Sequence, residues 1–171
     1  MISKDELIGT WQLESWTIGY TDRDEYTYPF GEEPQGLLVY SNDGWMSASI
    51  NRPGRALLPE DVSFRKLPDA LKAKAFSSYF HYAGRYRVVD GDVIHYVTQS
   101  LNPNFPGTEQ LRHAELDGQT LVLSGKDQVG GVTRFHYALF NQNSDRSASA
   151  VRYAMPAGAT ISNLSFHDVP Y

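Results

Sequence analysis

The chain contains no cysteine. That excludes disulfides, thiolate chemistry and cysteine-based metal sites. It has no apolar run near the roughly 20 residues that a membrane helix needs. Its fifteen basic residues are scattered and its formal net charge is −5, so nucleic acid is not an expected partner. The N-terminal stretch MISKDELIGTW is polar and lacks the apolar core of a secretory signal. A cytoplasmic protein with no membrane segment is the expectation. Gly130-Gly131 lacks the surrounding pattern of a phosphate-binding loop, and Ser100 and Ser124 belong to no recognisable nucleophile motif.

What is present is a chain of 171 residues, 13% aromatic, with eleven tyrosines. That length suits one domain with a real core. Ser3-Lys4-Asp5-Glu6 has the form of a capping box, so a short helical turn is expected before Leu7. The stretch GTWQLESWTIGY then alternates and reads as a long strand. Trp11, Leu13, Ser15 and Thr17 share one face; Gln12, Glu14, Trp16 and Ile18 share the other. Residues 21–34 read as a loop, Gly36 to Tyr40 as a strand, Ser41 to Gly44 as a turn and Trp45 to Ile50 as a third strand. Proline and glycine break the pattern from Asn51 to Pro68.

The next segment, DALKAKAFSSYFHYAG, carries Leu71, Ala75, Tyr79 and Tyr82 at helical spacing, widened by Phe76 and Phe80. It predicts one amphipathic helix, with Gly84 as its stop. Strands follow at Arg85 to Val89, Asp92 to Leu101, Thr108 to Leu116, Thr120 to Ser124 and Val132 to Phe140. Asp90-Gly91 and Asp117-Gly118 are hairpin turns. About eight to ten strands joined by short turns suit an all-β, up-and-down antiparallel barrel with the helix near its mouth; a sandwich is the alternative. The domain spans residues 1–171, with its core at about 7–140. Residues 141–171 form a polar extension that could add an edge strand, cross the mouth or stay disordered.

These pieces resemble the lipocalin-like domain family of bacterial and fungal proteins. The resemblance rests on Gly9-Thr10-Trp11 opening the first strand within GTWQLESW, on GLLVYSNDGWMSASI, on Tyr82-Ala83-Gly84-Arg85-Tyr86, on His95, on PNFPGTEQLR and on LVL. They occur in order from about Leu7 to Phe140. The resemblance implies a closed antiparallel barrel with a cavity, one helix near its end and a small molecule inside. It implies no single activity. Some members look like binding proteins; others belong to natural-product pathways in which such barrels assist cyclisation, isomerisation or dehydration.

In a barrel alternate residues face inward. Apolar parity puts Leu38 and Tyr40 inside, then Met46, Ala48 and Ile50, Tyr86 and Val88, and Val93, His95 and Val97. Gln110, Arg112, Ala114 and Leu116, with Leu121 and Leu123, continue the set. For the last strand, periodicity leaves Phe135, Tyr137 and Leu139 open against Arg134, His136 and Ala138. The inward set is mostly apolar with a few polar members, as ligand sites are. His95, Arg112 and Tyr86 are the catalytic candidates. The histidine would serve as acid or base, and the arginine would hold a carboxylate or an enolate-like oxygen. Tyr40, Met46, Ala48, Val88, Val97, Gln110, Tyr79 and Phe80 are the ligand-binding candidates. The expected ligand is a small hydrophobic, oxygen-bearing molecule of polyketide or terpenoid type. The expected function is a cofactor-independent cyclase, isomerase or dehydratase, with a non-catalytic carrier or sensor as the alternative.

Each candidate also has a plain structural reading. Trp11 reads as a plug at the barrel floor. Arg112 could simply pack over it, as a basic residue often does in lipocalin-type barrels. His95 could be a satisfied core histidine, and Tyr79, Phe80 and Tyr82 mainly helix packing. His95, His113 and His136 lie on three strands, but the first two fall on different faces and no metal-ligand spacing occurs, so no metal and no cofactor is expected. Trp16 and Ile18, read as outward-facing, suggest a homodimer surface.

Overall fold

The computed structural model describes residues 1–20, 25–126 and 133–141. The polar extension beyond Asn141 and Gly130-Gly131 lie outside them. The short helix α1 (Lys4–Leu7) leads into β1 (Gly9–Tyr20), and β2 (Tyr26–Thr27), β3 (Gln35–Tyr40) and β4 (Trp45–Asn51) follow. A 3₁₀ turn (Phe64–Lys66) and the helix α2 (Asp69–Ser77) precede β5 (Tyr79–Val89). The chain then runs through β6 (Asp92–Ser100), β7 (Glu109–Asp117), β8 (Thr120–Lys126) and β9 (Thr133–Asn141).

Strands β3 to β9 each pair antiparallel with the next. Strand β1 pairs β3 through Gly9–Gln12 and β9 through Trp11–Tyr20, which closes the sheet on itself. Closure satisfies the edges that an open sheet would leave unpaired. The expected up-and-down barrel is therefore the architecture, built of eight strands, with β2 a two-residue ribbon against Ile18 and Gly19.

Local chemistry explains the turns. Asp90 and Gly91 both have positive φ, 54° and 91°, and Val89 pairs with Asp92. This is the two-residue hairpin that Asp-Gly favours. The second hairpin sits one residue later than the sequence suggests. Asp117 pairs with Thr120, so Gly118 (φ 59°) and Gln119 form the turn. At the N-terminus the Glu6 carboxylate accepts the Ser3 backbone N–H (2.8 Å), as the capping box predicts, and also the Ser3 hydroxyl (2.7 Å).

Two expectations fail for identifiable reasons. The helix ends at Ser77, and Tyr79, Phe80 and Tyr82 lie on β5. Those residues satisfy a helical spacing and also an alternating one, with Tyr82, Gly84 and Tyr86 buried and Arg85 and Arg87 exposed. Seven pairs with β4, from Asn51↔Tyr79 to Trp45↔Arg85, decide for the strand. No residue of α2 is fully buried, so tertiary pairing overrides a weak helical stripe. Gly84 marks not a helix stop but a bulge, where the register skips Thr98. A Cβ there would run into the Tyr96 carbonyl oxygen.

The second failure concerns Trp16 and Ile18. The β1–β9 register shifts between Leu13 and Ser15, leaving Glu14 as the extra residue. A bulge reverses the alternation, so Trp16 joins Trp11 and Leu13 in the core, 7% exposed and packed 5.1 Å from the Phe30 ring. Ile18 packs against the same core. Neither offers the outward face on which the homodimer surface was based.

Candidate functional site

Among the described residues the interior is apolar except at a few points. Val93, His95 and Val97 all have 0% exposure, so the β6 alternation places the histidine inside the barrel. Both ring nitrogens are engaged. The Tyr40 hydroxyl lies 2.6 Å from Nε2 and the Tyr82 hydroxyl 2.8 Å from Nδ1. A neutral imidazole has one N–H and one lone pair. One tyrosine therefore donates to the ring and the other accepts from it. Burial first, and the Arg112 charge second, hold the His95 pKa well below the usual histidine range. His95 is thus neutral at neutral pH, bonded between two phenols.

Arg112 stands on β7 opposite Val93 and is 5% exposed. Its Nη1 donates to the Leu111 carbonyl at 2.8 Å. The inward position across β8 is Gly125, where an added Cβ would sit 2.8 Å from that Nη1. The glycine leaves the slot through which the guanidinium passes.

Tyr82 and Arg112 meet at one cavity, whose apolar walls include Leu13, Leu38, Ala48, Ile50 and Leu123. It admits the centre of a water-sized sphere over only ≈ 20 Å³, room for about one water molecule. The surrounding empty space, open side included, is ≈ 360 Å³. Leu37 on β3 and Ser49 on β4 complete the described lining. Strand β1 parts from β3 after the Gln12↔Leu37 pair.

The other sequence candidates are spread around this site. Tyr86 pairs with His95 in the β5–β6 register, but its hydroxyl donates to the Ser41 carbonyl (2.9 Å). Burial, then Asp43 and Asp5, push its pKa up, so it stays protonated. Its ring lies 4.7 Å from that of Tyr40. Met46 and Val97 are buried core residues, and Val88 packs against that core. Gln110 donates from Nε2 to the Thr108 hydroxyl (2.9 Å). Phe80 packs edge-on against Phe105 and Tyr82. Tyr79 lines a separate outer groove of ≈ 470 Å³ beside Phe64, Phe76 and Arg55.

Of the catalytic and ligand-binding candidates, then, Ala48 and Arg112 reach the cavity wall and Tyr40 reaches His95, and the inward-read Leu38, Ile50 and Leu123 line the wall as well. Tyr82 was the residue missed. Reading Phe80, Tyr82, Gly84, Tyr86 and Val88 as one alternating set would have found it. His113 is exposed and bonds Asp92 (3.0 Å), away from His95. The side chain of His136 lies outside the described residues. Among the described residues no cluster of metal-ligating side chains occurs, and no helix is long and apolar enough to cross a membrane.

Among curated proteins none matches the chain. A solved lipocalin-like protein from Bacteroides uniformis ATCC 8492 is 13% identical, with 79% of this chain and 97% of that chain covered at a TM-score of 0.42. The lipocalin-like domain model matches residues 8–153. That match spans most of the chain, and the closed barrel agrees with it: the chain belongs to the lipocalin-like domain family, whose fold is a small-molecule-binding barrel.

Proposed function

We propose that this barrel binds a small hydrophobic, oxygen-bearing molecule and assists its isomerisation, cyclisation or dehydration without a cofactor. The observation that carries the reading is Tyr82. Its hydroxyl is bonded to a neutral, fully buried histidine, and its side chain lines the cavity. Tyr82 would be the group that touches the ligand. His95 does not line the cavity, so it would act through Tyr82, as a positioning residue and proton store. Arg112 would stabilise developing negative charge on a ligand oxygen in a site of low dielectric. The apolar walls would restrain the ligand near a reactive shape.

The cavity admits about one water molecule, so binding must move its walls. The wall would part at the seam beyond Gln12↔Leu37, where backbone pairing between β1 and β3 stops. A carrier is the second reading. It is favoured because Arg112, the only charged group among the described residues of the cavity wall, does not release its proton near neutral pH. The test is incubation with polyketide- and terpenoid-type candidates followed by mass spectrometry. Converted product supports the enzyme; recovery of unchanged bound ligand supports the carrier. For an enzyme, Tyr82→Phe should lower kcat by about 100-fold or more with a smaller change in KM. Full turnover in that variant would remove Tyr82 from the chemistry.

A further inference from the structure

We infer that the ligand of this barrel is acidic: an apolar body carrying one carboxylate, or an enol that ionises readily, with its anionic oxygen set against Arg112 and receiving the Tyr82 hydroxyl proton in a hydrogen bond. This rests on the reading of the cavity as the ligand site and names the ligand's chemical class. Among the described residues, Arg112 and His95 are the buried side chains of the basic or acidic types, and His95 is neutral. The buried charge among them is therefore positive, and no described residue of the cavity wall carries a carboxylate. Against walls of low dielectric a fixed positive charge attracts an anion strongly and repels a cation. The same charge, after burial, lowers the His95 pKa.

Two further features suit an anion. The first is Gly125. A side chain at this inward position would collide with Arg112 Nη1 (2.8 Å) and the Leu111 carbonyl oxygen (2.9 Å). The sequence LVLSGK thus keeps the guanidinium folded across β8 and against the cavity. The second is the ambidextrous Tyr40–His95–Tyr82 chain. When an oxygen anion accepts the Tyr82 O–H, the His95 Nδ1–H can donate to the Tyr82 oxygen, and Tyr40 can donate to Nε2. One direction of the chain is then selected, and every proton in it points toward the negative charge. An ammonium ligand would need the opposite direction and would face Arg112.

The test uses matched probes with flat and flexible bodies: 2-naphthoate against 2-naphthylmethanol and 2-naphthylmethylammonium, and octanoate against 1-octanol. Affinities are measured by titration calorimetry on the full chain. At least one acid should bind about tenfold or more tighter than its alcohol, with the ammonium compound weakest. Arg112→Met should abolish that preference, bringing the affinity for the acid down to that for the alcohol. Gly125→Ala keeps the charge but displaces the guanidinium, and it should weaken the acid several-fold with little effect on the alcohol. That variant carries the test if Arg112→Met does not fold. Equal binding of acid and alcohol, or a preference that survives the Arg112 and Gly125 changes, would overturn the acidic-ligand inference but leave a ligand site in place. If no probe of either body binds, the ligand-site reading falls, and this inference with it.

Discussion

At the end of the barrel covered by α1, buried polar tips reach backbone carbonyls. The Trp11 indole N–H donates to Leu7 (2.8 Å), and the Tyr86 hydroxyl donates to Ser41 (2.9 Å). Further along the strands, His95 is bonded to two other side chains, and Arg112 stands on a cavity wall. The first arrangement fixes a helix end and a turn in place. The second holds protons that can shift along a chain of titratable groups. Burial alone does not separate them, since Trp11 and His95 are equally inaccessible. The identity of the bonding partner does.

Substitutions should separate the two regions. The largest effect is expected from Trp11→Ala, which removes a fully buried plug. It should cost about 3–5 kcal/mol in urea unfolding without altering the choice between acid and alcohol probes. A changed preference would show that the two regions are not independent. Tyr40→Phe and Tyr82→Phe each strip one partner from the buried imidazole and should cost about 1–3 kcal/mol by the same assay. They should part company in ligand binding, because Tyr82 lines the cavity and Tyr40 does not. Equal effects on ligand affinity would contradict that division.

The pH dependence is the next largest effect. The folded-state pKa of His95 lies below its unfolded value, near 6.5. Its contribution to stability is therefore present above about pH 6.5 and is lost as pH falls toward the folded value, at up to about 1.4 kcal/mol per pH unit. In His95→Phe this loss should be absent from unfolding curves taken between pH 7 and pH 5. An unchanged slope would mean that another group is responsible. The smallest effect belongs to Tyr86→Phe. It should cost about 0.5–1.5 kcal/mol and leave probe binding intact, although sequence alone ranks Tyr86 beside His95.

Much of the barrel was legible because antiparallel strands write alternation and turn chemistry directly into the chain. Val93, His95 and Val97 read inward and are inward; Asp90-Gly91 reads as a hairpin and is one. Two bulges hid the rest. An extra residue at Glu14 reverses the face of Trp16, and nothing in the local sequence announces it. The β5 segment carried two periodicities at once, and pairing with β4 chose between them. The site suffered from the second ambiguity. Placing Tyr82 on a helix separated it from His95, and backbone register favoured Tyr86, whose hydroxyl points to the Ser41 turn. Register aligns Cα atoms, whereas hydrogen bonds depend on where long side chains end.

The central claim is that Tyr82, backed by neutral His95 and set beside Arg112, is the polar pole that meets the ligand. A crystal structure of the protein soaked with 2-naphthoate tests it most directly. The carboxylate should lie within hydrogen-bond distance of the Tyr82 hydroxyl and an Arg112 nitrogen, with the ring among Leu13, Ile50 and Leu123. A ring seated in the outer groove beside Phe64 and Phe76, with the barrel interior unchanged, would contradict it.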